Sequence, residues 1–246
     1  MDLILSDLHA NLHAFRTVLR FARRRAVRRF VLLGDLVGYG AHPNQVLDRL
    51  RRLHPRVMLR GNHDRACAYE GEGTHFSLPA RLACAWTRRH LSRENLRFLQ
   101  SLPRGPLTLE PGVLAAHGAP WDEAAYLLQD RDASQAFASF EGRLCFFGHT
   151  HHPGGWELDP VSHRLRGVRM EPGVWVDLDP ARRYLLNPGS VGQPRDRDPR
   201  LSFMAYDAQR HRVKLHRLDY DSCGAGRAIL AAGLHATLAE RLQAGT

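Results

Sequence analysis

Short apolar runs recur along the first two thirds of the chain, and each is followed closely by an aspartate, an asparagine or a histidine. Three of these runs, at residues 3–5, 30–33 and 57–59, alternate with segments at 12–22 and 43–53 whose apolar residues recur at helical spacing. This strand–helix alternation predicts a mostly parallel sheet with helices on its faces. Because ligands bind at the carboxyl ends of parallel strands, we expect the polar residues after the runs to meet at one edge.

The rest of the chain predicts a second sheet and further helices. Helices are expected over about 78–102, interpreted as a helical insertion, over 133–140, and over about 225–242 as one C-terminal helix. Strands are expected at 107–109, 113–116 and 144–147, and the runs at 174–177, 184–186, 201–206 and 212–218 alternate as antiparallel strands do. The predicted fold is of the α/β class, a single domain over residues 1–246. It is a two-sheet β-sandwich with a mixed or parallel core, flanked by helices.

The composition is typical of a globular protein of the cytoplasm. The 246 residues are 43% apolar, and no apolar run approaches the roughly 20 residues that a membrane span needs. The N-terminal stretch MDLILSDLHAN lacks the basic start and the long apolar segment of a secretory signal. The four cysteines form no CxxC pair, which predicts free thiols in a reducing compartment.

The formal net charge of +10 is carried almost wholly by arginine, since lysine occurs only at Lys214. The basic runs at 20–29 and 48–56 would suit a nucleic-acid partner, but each overlaps a helical apolar period. We therefore favour the interpretation of a solvated helix face. A nucleic-acid partner stays open but is not favoured.

The residues of metal-binding type that follow the strands are Asp7, His9, Asp35, Asn62, His117, His149 and His151. In Asp7-Leu8-His9 and His149-Thr150-His151 the outer residues are two apart, so both side chains are expected on one side of an extended chain. Imidazoles mixed with carboxylates suit Mn, Fe, Zn, Co or Ni better than Ca or Mg. So many ligands favour two ions that share a carboxylate. Taken singly, most of these motifs are more typical of an ordinary loop.

In this order the motifs resemble those of the calcineurin-like metallophosphoesterases. The blocks that match the family signature are Asp7-Leu8-His9, Gly34-Asp35, Gly61-Asn62-His63-Asp64, His117-Gly118 and Gly148-His149-Thr150-His151. A later block, NPGSVGQPRD at 187–196, extends the resemblance to the small bacterial and archaeal phosphoesterases of the superfamily. Only the C-terminal helix lies outside it. The resemblance implies the calcineurin-like metallophosphoesterase fold.

The resemblance also implies a site with two divalent metal ions. One ion would be held by Asp7, His9, Asp35 and His151, and the other by Asp35, Asn62, His117 and His149, with Asp35 as the bridge. Two such ions about 3.5 to 4 Å apart clamp a phosphoryl oxygen and convert a bridging water into a hydroxide that attacks phosphorus. The resemblance implies that Asp35 and His63 are the catalytic residues. His63 would stabilise or protonate the leaving oxygen.

Four residues near the motifs have roles that the sequence leaves open. Asp64 either orients His63 or caps the following helix, and we favour the cap. Tyr39 either stacks on a substrate base or packs in a turn. Asn11 either contacts a substrate phosphate or caps the first helix. Arg195 is a candidate to bind the substrate phosphate as a fork of donors.

The sequence therefore predicts a metal-dependent phosphoesterase that hydrolyses a small phosphate mono- or diester, with nucleotides and dinucleoside polyphosphates among the candidates. The block after Gly34-Asp35 lacks the Asp-Arg-Gly of protein phosphatases, which argues against that class. The alternatives are a non-catalytic scaffold of the same fold and a nuclease of DNA or RNA. The complete ligand set argues against the scaffold.

Overall fold

The computed structural model describes residues 1–246 and contains twelve strands and eight α-helices. The strands are β1 (Asp2–Leu5), β2 (Phe30–Leu32), β3 (Val57–Met58), β4 (Leu107–Glu110), β5 (Val113–Ala115), β6 (Leu144–Phe146), β7 (Gly154–Leu158), β8 (Leu165–Val168), β9 (Trp175–Asp177), β10 (Arg183–Asn187), β11 (Leu201–Asp207) and β12 (Arg212–Leu218). The helices are α1 (Leu12–Arg24), α2 (Pro43–Leu53), α3 (Asn62–Ala68), α4 (Leu78–His90), α5 (Arg93–Gln100), α6 (Asp130–Ser139), α7 (Ser222–Ala231) and α8 (Ala236–Ala244).

The strands form two six-stranded sheets. The first has the order β3-β2-β1-β11-β12-β9, and its strands β1, β2 and β3 are parallel. The second has the order β4-β5-β6-β10-β7-β8, with β5, β6 and β10 parallel and the outer strands antiparallel to their neighbours. The predicted mixed two-sheet sandwich is confirmed.

Alternate residues of β1 show how the layers stack. Leu3 and Leu5 pack against the helices that cover the first sheet, whereas Ile4 packs between the two sheets. On the far side of the second sheet, Cys145 and Leu185 pack against Phe137 of α6. The order is thus helix, sheet, sheet, helix. Because the parallel strands are covered on both faces, they appear in the sequence as unbroken apolar runs.

The C-terminal part of the chain corrects one prediction. The single helix expected over about 225–242 is wrong, because α7 and α8 are separate helices. Gly233 adopts a φ of +70° between them, a left-handed conformation that glycine tolerates and that ends a helix. The hairpin of β7 and β8 is a further element that the sequence pattern did not resolve.

Other expectations agree with the structure. Helices α4 and α5 lie within the segment predicted over about 78–102. The cysteines Cys67, Cys84, Cys145 and Cys223 are free, as expected. None of the helices combines the length and the apolar character that crossing a membrane requires.

Candidate metal centre

The residues of metal-binding type come together from both sheets. They lie in the loops after β1, β2, β5 and β6 and in the first turn of α3. Two groups of ligand atoms lie within 4.8 Å of one another, and Asp35 belongs to both. The first group is Asp7, His9, Asp35 and His151, and the second is Asp35, His117 and His149. All these side chains are buried. Each group could hold one metal ion.

The backbone of these loops differs from the expected extended chain. Asp7, His9, Asp35, His149 and His151 all have a positive φ, between 46° and 65°. The extended conformation expected for residues 7–9 and 149–151 is therefore wrong, although the paired side chains do converge. Left-handed conformations cost free energy for residues other than glycine and concentrate at functional sites.

Hydrogen bonds between the loops hold this strained backbone. The Asp7 N–H donates to the Gly34 carbonyl at 3.1 Å, and the His9 N–H donates to the Asp35 carbonyl at 2.9 Å. Gly61 approaches the Asp35 side chain so closely that a Cβ on Gly61 would lie 2.1 Å from Asp35 Oδ1. The Gly-Asp and Gly-Asn-His-Asp motifs thus require their glycines for packing against each other.

In the first group, unshared electron pairs face each other. The Nδ1 atoms of His9 and His151 point at backbone carbonyls, those of Val37 and Gln193. A carbonyl only accepts, so each Nδ1 donates and each Nε2 keeps its lone pair. Those two Nε2 atoms lie 3.2 Å apart, and His151 Nε2 lies 3.3 Å from Asp7 Oδ1. A cation between them would satisfy all three atoms.

The second group is arranged in the same way. His117 Nδ1 lies 2.8 Å from the Leu33 carbonyl, so its Nε2 faces Asn62 Oδ1 at 3.0 Å and Asp35 Oδ1 at 3.4 Å. His149 Nε2 lies 3.0 Å from the carbonyl of Ala124, which leaves the Nδ1 of His149 for a ligand. Asn62 Oδ1 thus lies beside the second group, and its role as a ligand stays a prediction.

Buried oxygen atoms without a partner test whether these residues fit a metal. Asp7 Oδ1 and Asp35 Oδ2 are buried and accept no hydrogen bond. An ionised carboxylate oxygen in that position is costly unless a positive charge faces it. The residues therefore fit divalent cations of the borderline type, which bind imidazole and carboxylate together.

The pKa shifts of the residues in both groups also indicate that the buried carboxylates need a positive charge nearby. Burial alone would raise the pKa of Asp7 and Asp35, but the neighbouring histidines outweigh it and hold both carboxyls well below their ordinary pKa. Burial also lowers the pKa of His9, and that of His149 to about 3, so both are neutral. The Asp35 charge overcomes burial at His117 and raises its pKa to about 10. The buried carboxylates are thus balanced by a positive charge, here the proton on His117, while His9 and His149 stay neutral.

His63 lies beside the two groups without belonging to either. Its backbone N–H donates to Asp35 Oδ1 at 2.9 Å, and its ring is stacked on Phe76 with the ring centroids 4.5 Å apart. His63 Nδ1 lies 3.5 Å from Cys84 Sγ, so Nε2 is the ring nitrogen left for another partner. Burial lowers its pKa, but the Asp35 carboxylate outweighs burial and raises the pKa of His63. A raised pKa favours a proton on the ring near neutral pH.

The two interpretations of Asp64 are now distinguished in favour of the cap. Its carboxylate accepts from the N–H of Gly61 at 2.9 Å, at the start of α3. It also accepts from the N–H groups of Leu36 and Val37 at 2.8 and 3.1 Å. No hydrogen bond joins it to the His63 ring. Asp64 therefore caps α3 and ties it to the loop after β2.

Asn11 and Tyr39 both make contacts within the protein near the two groups. Asn11 caps α1, since its Oδ1 accepts from the Ala14 N–H, and its amide donates to the Gly192 carbonyl and the Tyr220 hydroxyl. Both amide N–H groups of Asn11 are engaged in these bonds. The Tyr39 ring is 7% exposed and packs against the rings of His9 and His63 at 4.5 Å. The capping role expected for Asn11 is present, and substrate contact by Asn11 or Tyr39 stays a prediction.

Arg195 and Tyr39 are joined beside the metal-type residues. Arg195 Nη2 donates to the Tyr39 hydroxyl at 3.3 Å and to Gln193 Oε1 at 3.1 Å. Both partners are neutral, and Arg195 Nε is buried without a partner. Burial raises the pKa of Tyr39 to about 12, so its hydroxyl stays protonated. The Arg195 guanidinium therefore keeps donors free, and phosphate binding by Arg195 stays a prediction.

A cleft of about 370 Å³ opens beside the second group. Its wall includes Asn62, His63, His149, Tyr39 and Arg195, together with three residues that the sequence analysis missed, Phe76, Tyr126 and Arg241. The missed residues lie outside the motifs, and their positions depend on packing between distant elements. Nothing in their local sequence distinguishes them from ordinary core or surface residues.

Comparisons with known proteins place the chain in a family. The sequence model of the calcineurin-like phosphoesterase superfamily domain matches residues 1–211. A protein of Methanocaldococcus jannaschii described as uncharacterised is 33% identical over 255 aligned positions, which cover 100% of this chain and 98% of that protein.

Solved structures agree with the sequence match. A metallophosphoesterase from Sphaerobacter thermophilus is 36% identical with a TM-score of 0.87, and the alignment covers 100% of this chain and 99% of that one. A hypothetical protein from Pyrococcus horikoshii, 19% identical, has the same fold, with a TM-score of 0.79 over 100% of this chain and 99% of that one. The resemblance inferred from the motifs is confirmed. This chain belongs to the calcineurin-like phosphoesterase superfamily.

Proposed function

We propose that the chain is a metal-dependent phosphoesterase that hydrolyses a small phosphate mono- or diester. One observation carries the proposal. Four buried atoms have lone pairs that face each other and receive no hydrogen bond from a donor in the protein. They are Asp7 Oδ1, Asp35 Oδ2 and the Nε2 atoms of His9 and His151. Asp7, His9, Asp35 and His151 would hold one divalent ion, and Asp35, Asn62, His117 and His149 the other. Mn, Fe, Zn, Ni and Co all suit this donor set.

Divalent ions held by these residues would supply Lewis acidity and would lower the pKa of a bound water. The protein residues supply the rest of the chemistry. Arg195 holds the substrate phosphate with donors that no carboxylate of the protein occupies. His63 lines the cleft and donates the proton that the leaving oxygen needs from Nε2, the ring nitrogen that has no hydrogen-bond partner in the protein. Asp35 belongs to both ligand groups, and its Oδ1 also accepts a hydrogen bond from the backbone N–H of His63, which holds His63 in place.

The test restores metals to stripped protein and follows hydrolysis of bis-p-nitrophenyl phosphate and p-nitrophenyl phosphate. We expect turnover to return with Mn, Ni or Co. His151→Ala should lose an ion and at least about 100-fold in kcat, since removing a metal ligand disrupts the activated water. The matched control is His152→Ala, because His152 is exposed and belongs to neither group.

Two results would contradict the proposal. Retained metal without turnover on any ester of a broad panel would favour the non-catalytic scaffold. Strong hydrolysis of DNA or RNA, with binding that weakens steeply as salt rises, would favour the nuclease.

A further inference from the structure

One wall of the cleft comes from outside the part of the chain that matches the sequence model of the superfamily. The match ends at residue 211, whereas α8 spans Ala236–Ala244 and contributes Arg241 to the cleft wall. The metal-type residues all lie before that limit. Arg241 thus lies in the cleft wall but outside the segment that carries the superfamily motifs, a position that suits substrate selection rather than the shared chemistry.

Helix α8 is fixed firmly against the rest of the cleft. Leu238 and Leu242 of α8 share an apolar cluster with Tyr39 and with Ala80 of α4. At the end of α8, the Gly245 carbonyl accepts from the Arg197 N–H at 2.8 Å. The position of α8 is therefore tied to the loop that carries Arg195.

The charges of this region leave Arg241 without a counter-ion. The neighbouring Arg200 and Arg217 are paired with Asp198 and Asp196. The Arg241 side chain forms no ion pair and no hydrogen bond in the protein, and it is half-buried at the cleft. A half-buried guanidinium whose donors are all free is well suited to bind a phosphate.

The cleft is also larger than one phosphate requires. Its volume of about 370 Å³ lies within the range of sites for small organic ligands. Phe76 and Tyr126 give it an aromatic lining, and the Tyr126 side chain is 48% exposed although it stacks on His149. There is room for an organic group and for a second anion beyond the phosphate held by Arg195.

We propose that Arg241 is a specificity-determining residue that binds a second phosphate of the substrate. This inference rests on the proposed function. The preferred substrates are then small esters with two phosphate groups, one hydrolysed beside His63 and the other held by Arg241. The organic part that joins the phosphates lies along Phe76 and Tyr126.

The experiment compares two esters that share a scissile bond and a leaving group. One is the p-nitrophenyl ester of thymidine 5′-phosphate, and the other is the same ester with an added 3′-phosphate. We expect the wild-type metal-loaded protein to prefer the second ester by about tenfold in kcat/KM, mainly through KM, as one charge-assisted interaction allows. Arg241→Gln should abolish this preference, and Arg241→Lys should retain part of it.

Arg227→Gln is the matched control, since Arg227 is an exposed residue of α7 that does not line the cleft. It should keep the wild-type preference. Equal kcat/KM for the two esters in the wild-type protein, or an unchanged preference in Arg241→Gln, overturns the inference while hydrolysis itself upholds the proposed function. If the protein hydrolyses no phosphate ester with any metal, both this inference and the proposed function are overturned.

Discussion

Among single residues, His63 separates metal binding from chemistry most clearly. Its ring belongs to neither ligand group, yet it lines the cleft and has a raised pKa. We predict that His63→Ala and His63→Gln keep the bound metal and lose about 100-fold or more in kcat, the usual contribution of a general acid. Metal content and kcat are measured on the same preparations.

The choice of leaving group distinguishes proton donation by His63 from a packing role. A p-nitrophenolate leaving group is stable without a proton, whereas an alkoxide requires one. The loss in His63→Ala should therefore be much larger for an alkyl phosphate ester than for a p-nitrophenyl ester. An equal loss on both would show that His63 acts by packing against Phe76 and Tyr39.

The sequence predicts which residues gather at the site but not their backbone. Asp7 and His9 follow a buried strand, so their place at the sheet edge follows from local pattern and topology. Their left-handed φ angles depend on hydrogen bonds to Gly34 and Asp35, which are distant in sequence. The cap of α1 by Asn11 is local, whereas the hydrogen bond from its amide to the distant Gly192 could not be predicted from the sequence.

At the scale of elements, the contact of α1 with the first sheet contains a titratable group. The His216 ring of β12 lies 4.7 Å from the Phe21 ring of α1 and 5.0 Å from the Phe203 ring of β11. Burial, and then Lys214 and Arg25, lower the pKa of His216 from 6.5 to about 4. At a pH between 4 and 6.5, His216 therefore binds a proton in the unfolded chain but not in the folded chain. The free energy of unfolding therefore falls as pH drops from 6.5 towards 4.

We predict that His216→Phe reduces this pH dependence. Between pH 7 and pH 5 the wild type should lose about 1 kcal/mol more than the variant, a value discounted because His216 is only partly buried. Urea denaturation of metal-stripped protein at both pH values measures the difference. Identical losses in the two proteins would contradict a depressed pKa at His216.

The ends of the elements show where local sequence was sufficient. Pro43 at the first turn and the apolar spacing predicted α2 with its observed bounds, 43–53. Gly233 was an equally local signal for the break between α7 and α8, and the sequence analysis did not use it. The place of Arg241 in the cleft had no local signal, because it depends on α8 packing against α4 and Tyr39.

At the scale of the whole molecule, the candidate metal centre draws its residues from both sheets. The first sheet supplies the loops of Asp7, His9 and Asp35, and the second supplies those of His117 and His149. The sandwich was predictable because buried parallel strands leave unbroken apolar runs in the sequence. The pairing of β1 with β11 was not, because these strands are far apart in the chain.

The central claim is that both sheets together hold two cations. Anomalous diffraction from crystals soaked in saturating Mn²⁺ tests it directly. The account predicts two peaks, one among Asp7, His9, Asp35 and His151 and one among Asp35, Asn62, His117 and His149. A single peak there, or peaks only elsewhere on the molecule, would contradict it.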